Sequence, residues 1–205
     1  EPKERELFYK KAIFWQEFRE NLKQAGFLEV HMPVLEQVPG GADAEPFVAH
    51  LNALDQDFYL RISLELPLKK LLVGGFEKVF EIGRVFRNEG IDREHLQDYT
   101  QLEFYWAYSD YHDLMKFTEK LFKIVIKKTC GTLTTTWRGK KIVWGKKWKI
   151  IDYVQEFKKA AGLDPLSASR DELFKKARDL HLAPEQGLGK GRLIDLIYKK
   201  LIRPN

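Results

Sequence analysis

Residues Phe80–Tyr111, FEIGRVFRNEGIDREHLQDYTQLEFYWAYSDY, decide the fold that the sequence predicts. Two runs rich in aromatic and apolar residues, Phe80–Phe86 and Thr100–Tyr108, predict strands on either side of a charged loop centred on Gly90. We therefore expect a hairpin that holds charged groups on a rigid sheet. Its residue types fit an anionic, aromatic ligand such as a nucleotide.

Alternation along the returning strand gives the hairpin two different faces. Glu103 and Tyr105 share one face, and normal pairing would bring Arg87 and Glu89 onto it as well. Inward-pointing charges on central strands are costly unless a ligand or partner meets them, so this face is expected to be a binding floor. The opposite face carries residues expected to pack against helices: Leu102, Phe104 and Trp106.

Arg87 is the strongest single candidate for anion binding. Its planar guanidinium suits a phosphate or a carboxylate, and a strand end would hold it in place. Taken alone, Arg87 and Glu89 are better explained as an exposed ion pair on the surface. The carboxylate and tyrosine on the returning strand favour the binding interpretation.

Composition sets outer limits on the function. The 205 residues include 35 Lys and Arg against 30 Asp and Glu, a net charge of +5 that is compatible with nucleic acid or phosphate ligands without requiring them. The single cysteine, Cys130, excludes an internal disulfide or a cysteine metal site and is expected to be a buried thiol. There is no apolar run of about 20 residues and no signal-peptide pattern in Glu1–Glu6, so we expect a cytoplasmic protein.

Periodicity and turn residues predict the remaining elements. The character of the chain changes near Gly131, after which threonine, lysine and tryptophan dominate as far as Ile151. The predicted elements are a helix over Glu4–Ala25 stopped by Gly26, a strand over Phe27–Val34, a loop over Glu36–Ala44, strands over Phe47–Leu51 and Asp57–Ile62, a helix over Leu64–Val73, a helix capped by Asp110 and running to about Lys128, a basic strand pair within Thr132–Ile151, and helices over Tyr153–Ala161, Arg170–Leu180 and Gly191–Leu201.

Two segments carry a resemblance to a known family. FRNEGIDREH at 86–95, followed by TQLEFYWAYSDYHDLM at 100–115, resembles motif 2 of class II aminoacyl-tRNA synthetases of the aspartate, asparagine and lysine subgroup. GFLEVHMPVL at 26–35 resembles the motif 1 strand, and within the subgroup the sequence is most similar to lysyl-tRNA synthetases. The resemblance implies an α+β fold, with an antiparallel sheet flanked by helices and a small helical insertion.

The same resemblance implies domains, a reaction and partners. Residues 1–130 would form the catalytic core with motifs 1 and 2, and residues 131–205 the basic strand pair and helical insertion. The family uses ATP and Mg²⁺ to convert lysine to lysyl-adenylate and transfers the lysyl group to tRNA(Lys), acting as a homodimer and away from membranes.

The resemblance also implies roles for individual residues. Arg87 is the expected catalytic residue, gripping the α-phosphate of ATP and the lysine carboxylate. Glu89 is expected near the adenine and ribose, His95 at the outer phosphates, and Tyr99 replaces a phenylalanine that stacks on adenine. For lysine, the expected binding residues beside Arg87 are Gly41 and Glu65 at the α-amino group, and Glu103 and Tyr105 at the side-chain ammonium.

The sequence also departs from the family pattern. Leu96-Gln97-Asp98 replaces asparagine–proline–glutamate after the loop histidine, and Glu45 stands where bacterial members commonly carry arginine. The sequence shows neither the OB-fold that binds the anticodon nor motif 3. We therefore expect most Mg²⁺ ligands to be missing and the charging of tRNA by this chain alone to be weak or absent. We also expect no metal site formed by protein ligands. Two alternatives remain open: a synthetase-like paralogue that binds lysine, nucleotide or a protein partner without charging tRNA, and a ligase that uses another acceptor.

Overall fold

The structure, a computed structural model, describes residues 2–91 and 95–203. The chain forms two compact units, Glu1–Lys146 and Lys147–Asn205. The predicted boundary near Gly131 lies before this division, because the β7–β8 hairpin follows α3 directly and belongs to the first unit. The predicted α+β architecture is confirmed.

The first unit is built around two three-stranded sheets. Its elements are α1 (Pro2–Gln24), β1 (Leu28–Glu29), β2 (Leu35–Glu36), β3 (Val48–Leu51), β4 (Gln56–Leu60), α2 (Glu65–Val73), β5 (Lys78–Phe86), β6 (Asp98–Trp106), α3 (Tyr111–Cys130), β7 (Thr134–Trp137) and β8 (Lys140–Val143). One sheet has the order β1-β5-β6 and the other β2-β4-β3. The β5–β6 pair is the long antiparallel hairpin that the sequence predicts.

Helices α1 and α3 cover the apolar face of that hairpin. Phe80 and Phe104 lie opposite each other on the two strands and pack into a cluster with Phe18 and Leu22 of α1. Rings from both helices meet edge to face, with the centroids of Phe18 and Phe122 separated by 5.3 Å. The predicted packing of Leu102, Phe104 and Trp106 against helices is confirmed.

A buried ion pair joins the two sheets. Arg61, directly after β4, and Glu81 on β5 approach to 2.7 Å and are about 2–3% exposed. Backbone groups also bond to the pair: Arg61 donates to the carbonyls of Met32 and Arg84, and the N–H of Met32 donates to Glu81. The pair therefore sets how β4, β5 and the segment after β1 lie against one another.

Several predicted elements have different bounds. The strand predicted over Phe27–Val34 is only Leu28–Glu29, and a separate strand follows at Leu35–Glu36, because Met32 turns its backbone toward the buried ion pair. The hairpin's second strand ends at Trp106, because Tyr108 adopts a left-handed backbone (φ 61°) that a strand cannot accommodate.

Cys130 is exposed, so the prediction of a buried thiol is wrong. It is the last residue of α3, directly before Gly131, whose φ of 71° ends the helix. At the other end of α3, the predicted cap is confirmed: the Asp110 carboxylate accepts hydrogen bonds from the N–H groups of His112 and Asp113.

The second unit contains three short helices around one apolar core. They are α4 (Tyr153–Ala161), α5 (Arg170–Asp179) and α6 (Lys190–Leu201), and their fully buried residues include Phe157, Leu173, Leu193 and Ile197. Ser169 and Glu172 form a capping box at the start of α5, as their spacing predicts. None of the helices in the described ranges combines the length and apolar character that a bilayer crossing requires.

Breaking the buried ion pair should be strongly destabilising. Arg61→Met leaves the Glu81 carboxylate buried without its cation, so we expect the free energy of unfolding to fall by about 3–5 kcal/mol. Urea unfolding followed by circular dichroism measures this. As a control, Arg84→Met removes an ion pair with Asp98 that is more than half exposed, and should cost less than about 1 kcal/mol.

The double variant Arg61→Met/Glu81→Met tests whether the two charges act as a pair. Because it removes both charges, it should recover much of the loss of Arg61→Met. Stability equal to the sum of the two single losses would show that the pair is not coupled.

The contact between α1 and β1 should make stability depend on pH. Glu29 pairs with Arg19 and Lys23, each at 2.7 Å. Burial alone raises the pKa of Glu29, but the two cations outweigh it and the net pKa lies below its usual value. A depressed pKa stabilises the fold above the unfolded pKa, and that contribution is lost as pH falls through the folded value.

Glu29→Gln should therefore lower the free energy of unfolding by about 1 kcal/mol at neutral pH. The difference from wild type should begin to shrink as pH falls below the unfolded pKa of about 4.3, and should disappear once the folded carboxyl, whose pKa is lower, is also protonated. Urea titrations between pH 7 and pH 3 measure this. Glu20→Gln, an exposed change on α1, the helix that carries Arg19 and Lys23, is the control, and an identical pH profile for both variants would contradict the assignment.

Candidate active site

One face of the β5–β6 hairpin gathers the candidate residues. In the antiparallel register Glu81 lies opposite Glu103, Val79 opposite Tyr105, and Val85 opposite Tyr99. The N–H of Arg87 donates to the Gln97 carbonyl at 2.7 Å, which extends the pairing one residue past β5. The structure thus brings Arg87, Tyr99, Glu103 and Tyr105 onto the face opposite α1 and α3, as their alternation predicts. Helix α2 packs against part of this face, where Tyr99 and Tyr105 adjoin Leu68.

Glu103 forms an anionic centre near one end of this face. One carboxylate oxygen accepts hydrogen bonds from the Ser63 hydroxyl at 2.9 Å and the Leu64 N–H at 3.1 Å. The other accepts from the Tyr105 hydroxyl at 3.1 Å. No cation of the described residues forms an ion pair with Glu103, so a partly buried negative charge is held in place by neutral donors alone.

Tyr105 lies between two carboxylates. Burial, and then the negative charges of Glu103 and Glu65, raise the pKa of the Tyr105 hydroxyl well above its usual value. The phenol therefore stays protonated at neutral pH and acts as a donor to the Glu103 carboxylate. Glu65 also binds Lys69 at 2.7 Å, a partly exposed pair within helix α2, which shows that its carboxylate is accessible to an ammonium group.

Gly41 brings a loop close to these carboxylates. Its φ of 85° lies in the left-handed region, which favours glycine. A Cβ at this position would stand 2.9 Å from the Cβ of Glu65 and 3.1 Å from the Ser63 hydroxyl oxygen, so a side chain would not fit. The absence of a side chain is what lets the loop backbone approach the start of α2.

Arg87 and Tyr99 form the other end of the face. The Arg87 Nε donates to the Ile62 carbonyl at 3.3 Å, and its guanidinium carbon lies 5.6 Å from the centroid of the Tyr99 ring. A cavity of about 330 Å³ opens beside them, lined by Arg87, Glu89, Gly90, His95, Leu96, Gln97 and Tyr99. A cation and an aromatic ring at the wall of a cavity suit an anionic, aromatic ligand.

The loop that follows β5 is held by Gln97. Its side-chain amide donates to the Glu89 carbonyl at 3.2 Å, and the Asn88 N–H donates to the Glu45 carbonyl at 2.7 Å. The residues that depart from the family pattern thus take part in the local structure: Gln97 ties the loop, and Asp98 pairs with Arg84 on the opposite face. Within the resembling motif, residues 92–94 lie outside the described part of the chain.

Four residues that matter for this site were not predicted from the sequence. Ser63 donates to Glu103, while Arg61 and Glu81 form the buried pair beneath the site, and Gly83 leaves room for it. One signal was present: Glu81 lies between the apolar residues Phe80 and Ile82 of β5, and in the pairing of the two strands it lies opposite Glu103. Ser63 and Arg61 lie at a strand end and carry no comparable signal.

The described residues do not form a metal site. Within residues 2–91 and 95–203, no three His, Cys, Asp or Glu side chains cluster closely enough to hold an ion. Mg²⁺ usually binds through one or two carboxylates together with nucleotide phosphates and waters, so a magnesium site of that kind does not require such a cluster.

Comparison with known proteins agrees with the geometry. The model of the family described as tRNA synthetases class II (D, K and N) matches residues 1–188. A lysine–tRNA ligase of Carboxydothermus hydrogenoformans is 44% identical over 205 residues, covering 99% of this chain and 42% of that protein. Lysine–tRNA ligases of a Thermoanaerobacter species and of Staphylococcus saprophyticus are 45% and 46% identical over 98% and 86% of this chain.

The matched region is a limited part of those relatives. The chain spans 42%, 40% and 36% of the length of the three proteins. Similarity alone therefore does not assign the activity of those whole proteins to this chain. The family model, in contrast, covers most of this chain. This chain therefore belongs to the class II tRNA synthetase family of the aspartate, lysine and asparagine enzymes.

Proposed function

We propose that the inner face of the β5–β6 hairpin binds lysine and ATP and supports the formation of lysyl-adenylate, the first step of lysine–tRNA ligase activity. The observation that carries this proposal is Glu103, a partly buried carboxylate held by three neutral donors with no cation among the described residues. Such a charge is costly unless a cationic ligand meets it. The relatives named lysine–tRNA ligase support the same choice of ligand.

The carboxylate end of the face is the proposed lysine site. Glu103 accepts the side-chain ammonium of lysine, and Tyr105 keeps the carboxylate oriented. Glu65 and the loop at Gly41 receive the α-amino group, which replaces Lys69 as the cation next to Glu65. A neutral side chain would leave Glu103 buried without a counter-charge, so the pocket discriminates against it.

The Arg87 end is the proposed nucleotide site. Tyr99 and Glu103 are four residues apart on β6, about 13 Å along the strand, which leaves room for a nucleotide beside an extended amino acid. Tyr99 stacks on adenine, His95 contacts the outer phosphates, and Glu89 lies at the adenine and ribose. The role of these three residues is supported by their place on the wall of one cavity.

Arg87 is the residue proposed to stabilise the reacting centre. A carboxylate oxygen of lysine attacks the α-phosphorus, a new P–O bond forms, and the bond to the bridging oxygen breaks as pyrophosphate leaves. Negative charge accumulates on the α-phosphate oxygens during this step, and a positioned guanidinium stabilises it. The hydrogen bond to Ile62 and the Tyr99 ring hold Arg87 in place beforehand.

The proposal extends to the partners of the family. The lysyl group is transferred to tRNA(Lys), and a second copy of the chain binds along α1. Support for the latter comes from the outer surface of α1, where Leu7, Phe8 and Tyr9 are 57%, 71% and 63% exposed.

Removing the charge of Glu103 should weaken lysine binding far more than ATP binding. Glu103→Gln keeps the shape of the side chain but removes the counter-charge, so we expect lysine affinity to fall about tenfold or more. Isothermal titration calorimetry with each ligand measures this, and circular dichroism checks the fold. Glu77→Gln, an exposed change just before β5, should leave both affinities unchanged. Equal losses for lysine and ATP in Glu103→Gln would refute the assignment.

Arg87→Lys should weaken nucleotide binding. Lysine keeps the positive charge but loses the planar fork and the stacking on Tyr99, so we expect ATP affinity to fall about tenfold. Titration with ATP measures the change. Arg84→Lys, on the other face of β5, is the matched control. If both variants bind ATP like wild type, Arg87 is not a nucleotide contact.

A further inference from the structure

The middle of the β5–β6 face carries a polar side chain to which neither the fold nor the proposed site gives a role. Gln101 lies on β6 midway between Tyr99 and Glu103, and residues two apart on a strand share a face. Its side-chain carbonyl oxygen is buried and has no hydrogen-bond partner in the described part of the chain. Such atoms are uncommon in folded proteins, because they have lost water without gaining a replacement.

The neighbours of Gln101 explain why its oxygen stays unpaired. Gly83 lies opposite Gln101 in the register and has no side chain to offer. The Arg61 guanidinium fills that space, since its carbon would lie 3.3 Å from a Cβ on Gly83. However, this guanidinium donates to Glu81 and to two backbone carbonyls. The amide oxygen of Gln101 is therefore an open acceptor at the centre of the site.

An open acceptor selects the kind of ligand group that can meet it. A carbonyl oxygen accepts only, so the ligand must donate an N–H or an O–H. The lysine carboxylate and the ATP phosphates are acceptors themselves, and the lysine side-chain ammonium is assigned to Glu103. The base and sugar of ATP have Glu89 beside them. The α-ammonium group of lysine has three N–H donors, and Glu65 is the one side chain proposed to accept from it.

We propose that Gln101 accepts a hydrogen bond from the α-ammonium group of lysine and makes the site require that group. The inference rests on the proposed function, in which lysine extends from Glu103 toward Arg87. Alternate residues of a strand are about 6.8 Å apart, so a lysine in that position passes over Gln101. A ligand without an α-amino group leaves the buried acceptor unpaired, and the site discriminates against it for that reason.

The test uses the 205-residue chain with lysine and with ε-aminocaproic acid, which is lysine without its α-amino group. Isothermal titration calorimetry gives the affinity for each ligand, and for ATP and deoxyadenosine triphosphate. The variant Gln101→Met replaces the amide by an apolar group of similar length. The matched control is Thr100→Val, a change from polar to apolar at the adjacent residue of β6, whose side chain points to the other face.

We expect Gln101→Met to lower lysine affinity about tenfold, because a hydrogen bond from a charged donor is lost. Affinity for ε-aminocaproic acid should not change, since this ligand never supplied the donor. The preference for lysine over ε-aminocaproic acid should therefore fall by the same factor. ATP and deoxyadenosine triphosphate should bind Gln101→Met as they bind wild type, and Thr100→Val should bind all four ligands like wild type.

The stability of the protein without ligand separates a binding role from a structural one. Gln101→Met removes a buried acceptor that has no partner, so the urea midpoint should equal or exceed that of wild type. A side chain that held the sheet together would lower the midpoint when replaced. Lysine at a fixed concentration should raise the midpoint of wild type more than that of Gln101→Met, because it binds the variant less tightly.

Three results would overturn the inference. The first is wild-type lysine affinity in Gln101→Met. The second is an equal loss of affinity for lysine and ε-aminocaproic acid together with a lower urea midpoint, which would indicate a structural role. The third is a loss of ATP affinity that is absent with deoxyadenosine triphosphate, which would place the donor on the ribose.

The Glu103→Gln variant distinguishes failure of this inference from failure of the proposed function. If wild type binds no lysine, the proposed function fails and the role of Gln101 fails with it. If Glu103→Gln weakens lysine binding as expected and Gln101→Met does not, only the role of Gln101 is refuted.

Discussion

The ion pair between Arg61 and Glu81 is the constraint on which the rest of the first unit depends. Two opposite charges are almost completely removed from water, pair with each other, and form hydrogen bonds with backbone groups of Met32 and Arg84. Such a pair tolerates little displacement, since a shift of either partner would leave a buried charge unpaired. It therefore holds the two sheets in one relative position. Gly83 is part of the same constraint, because a Cβ there would collide with the Arg61 guanidinium.

The same pair decides the electrostatics of the candidate site. Glu81 and Glu103 lie opposite each other on adjacent strands, and two unpaired carboxylates at that distance would repel. Because Arg61 pairs with Glu81, Glu103 is the one of these two carboxylates that has no cation partner among the described residues. The neutral donors Ser63 and Tyr105 orient Glu103 without cancelling it. Under the proposed function, selectivity for a cationic side chain depends on which of the two carboxylates pairs with Arg61.

Some parts of this arrangement could be predicted from local pattern and others could not. The β5–β6 hairpin, its two faces, the cap at Asp110 and the three helices of the second unit follow from alternation, apolar spacing and capping residues, which act over a few residues. The break between β1 and β2 could not be predicted, because Met32 leaves the strand to bond with groups 29 and 49 residues away. Cys130 was expected to be buried because cysteine is among the residues most often buried in proteins. Its position at the end of α3 instead exposes the thiol.

The sequence by itself determined which chemical groups lie on each face of the central hairpin, because side chains alternate along any strand. It also determined the concentration of positive charge around β7 and β8. Only the tertiary structure decided which of these groups come into contact. Ser63 donates a hydrogen bond to Glu103, 40 residues later in the sequence. Gly41 approaches the start of α2 because its backbone has a left-handed conformation and it has no side chain. The physical reason is that such contacts depend on how separate segments pack, and the Arg61–Glu81 pair sets that packing from positions with little local signal.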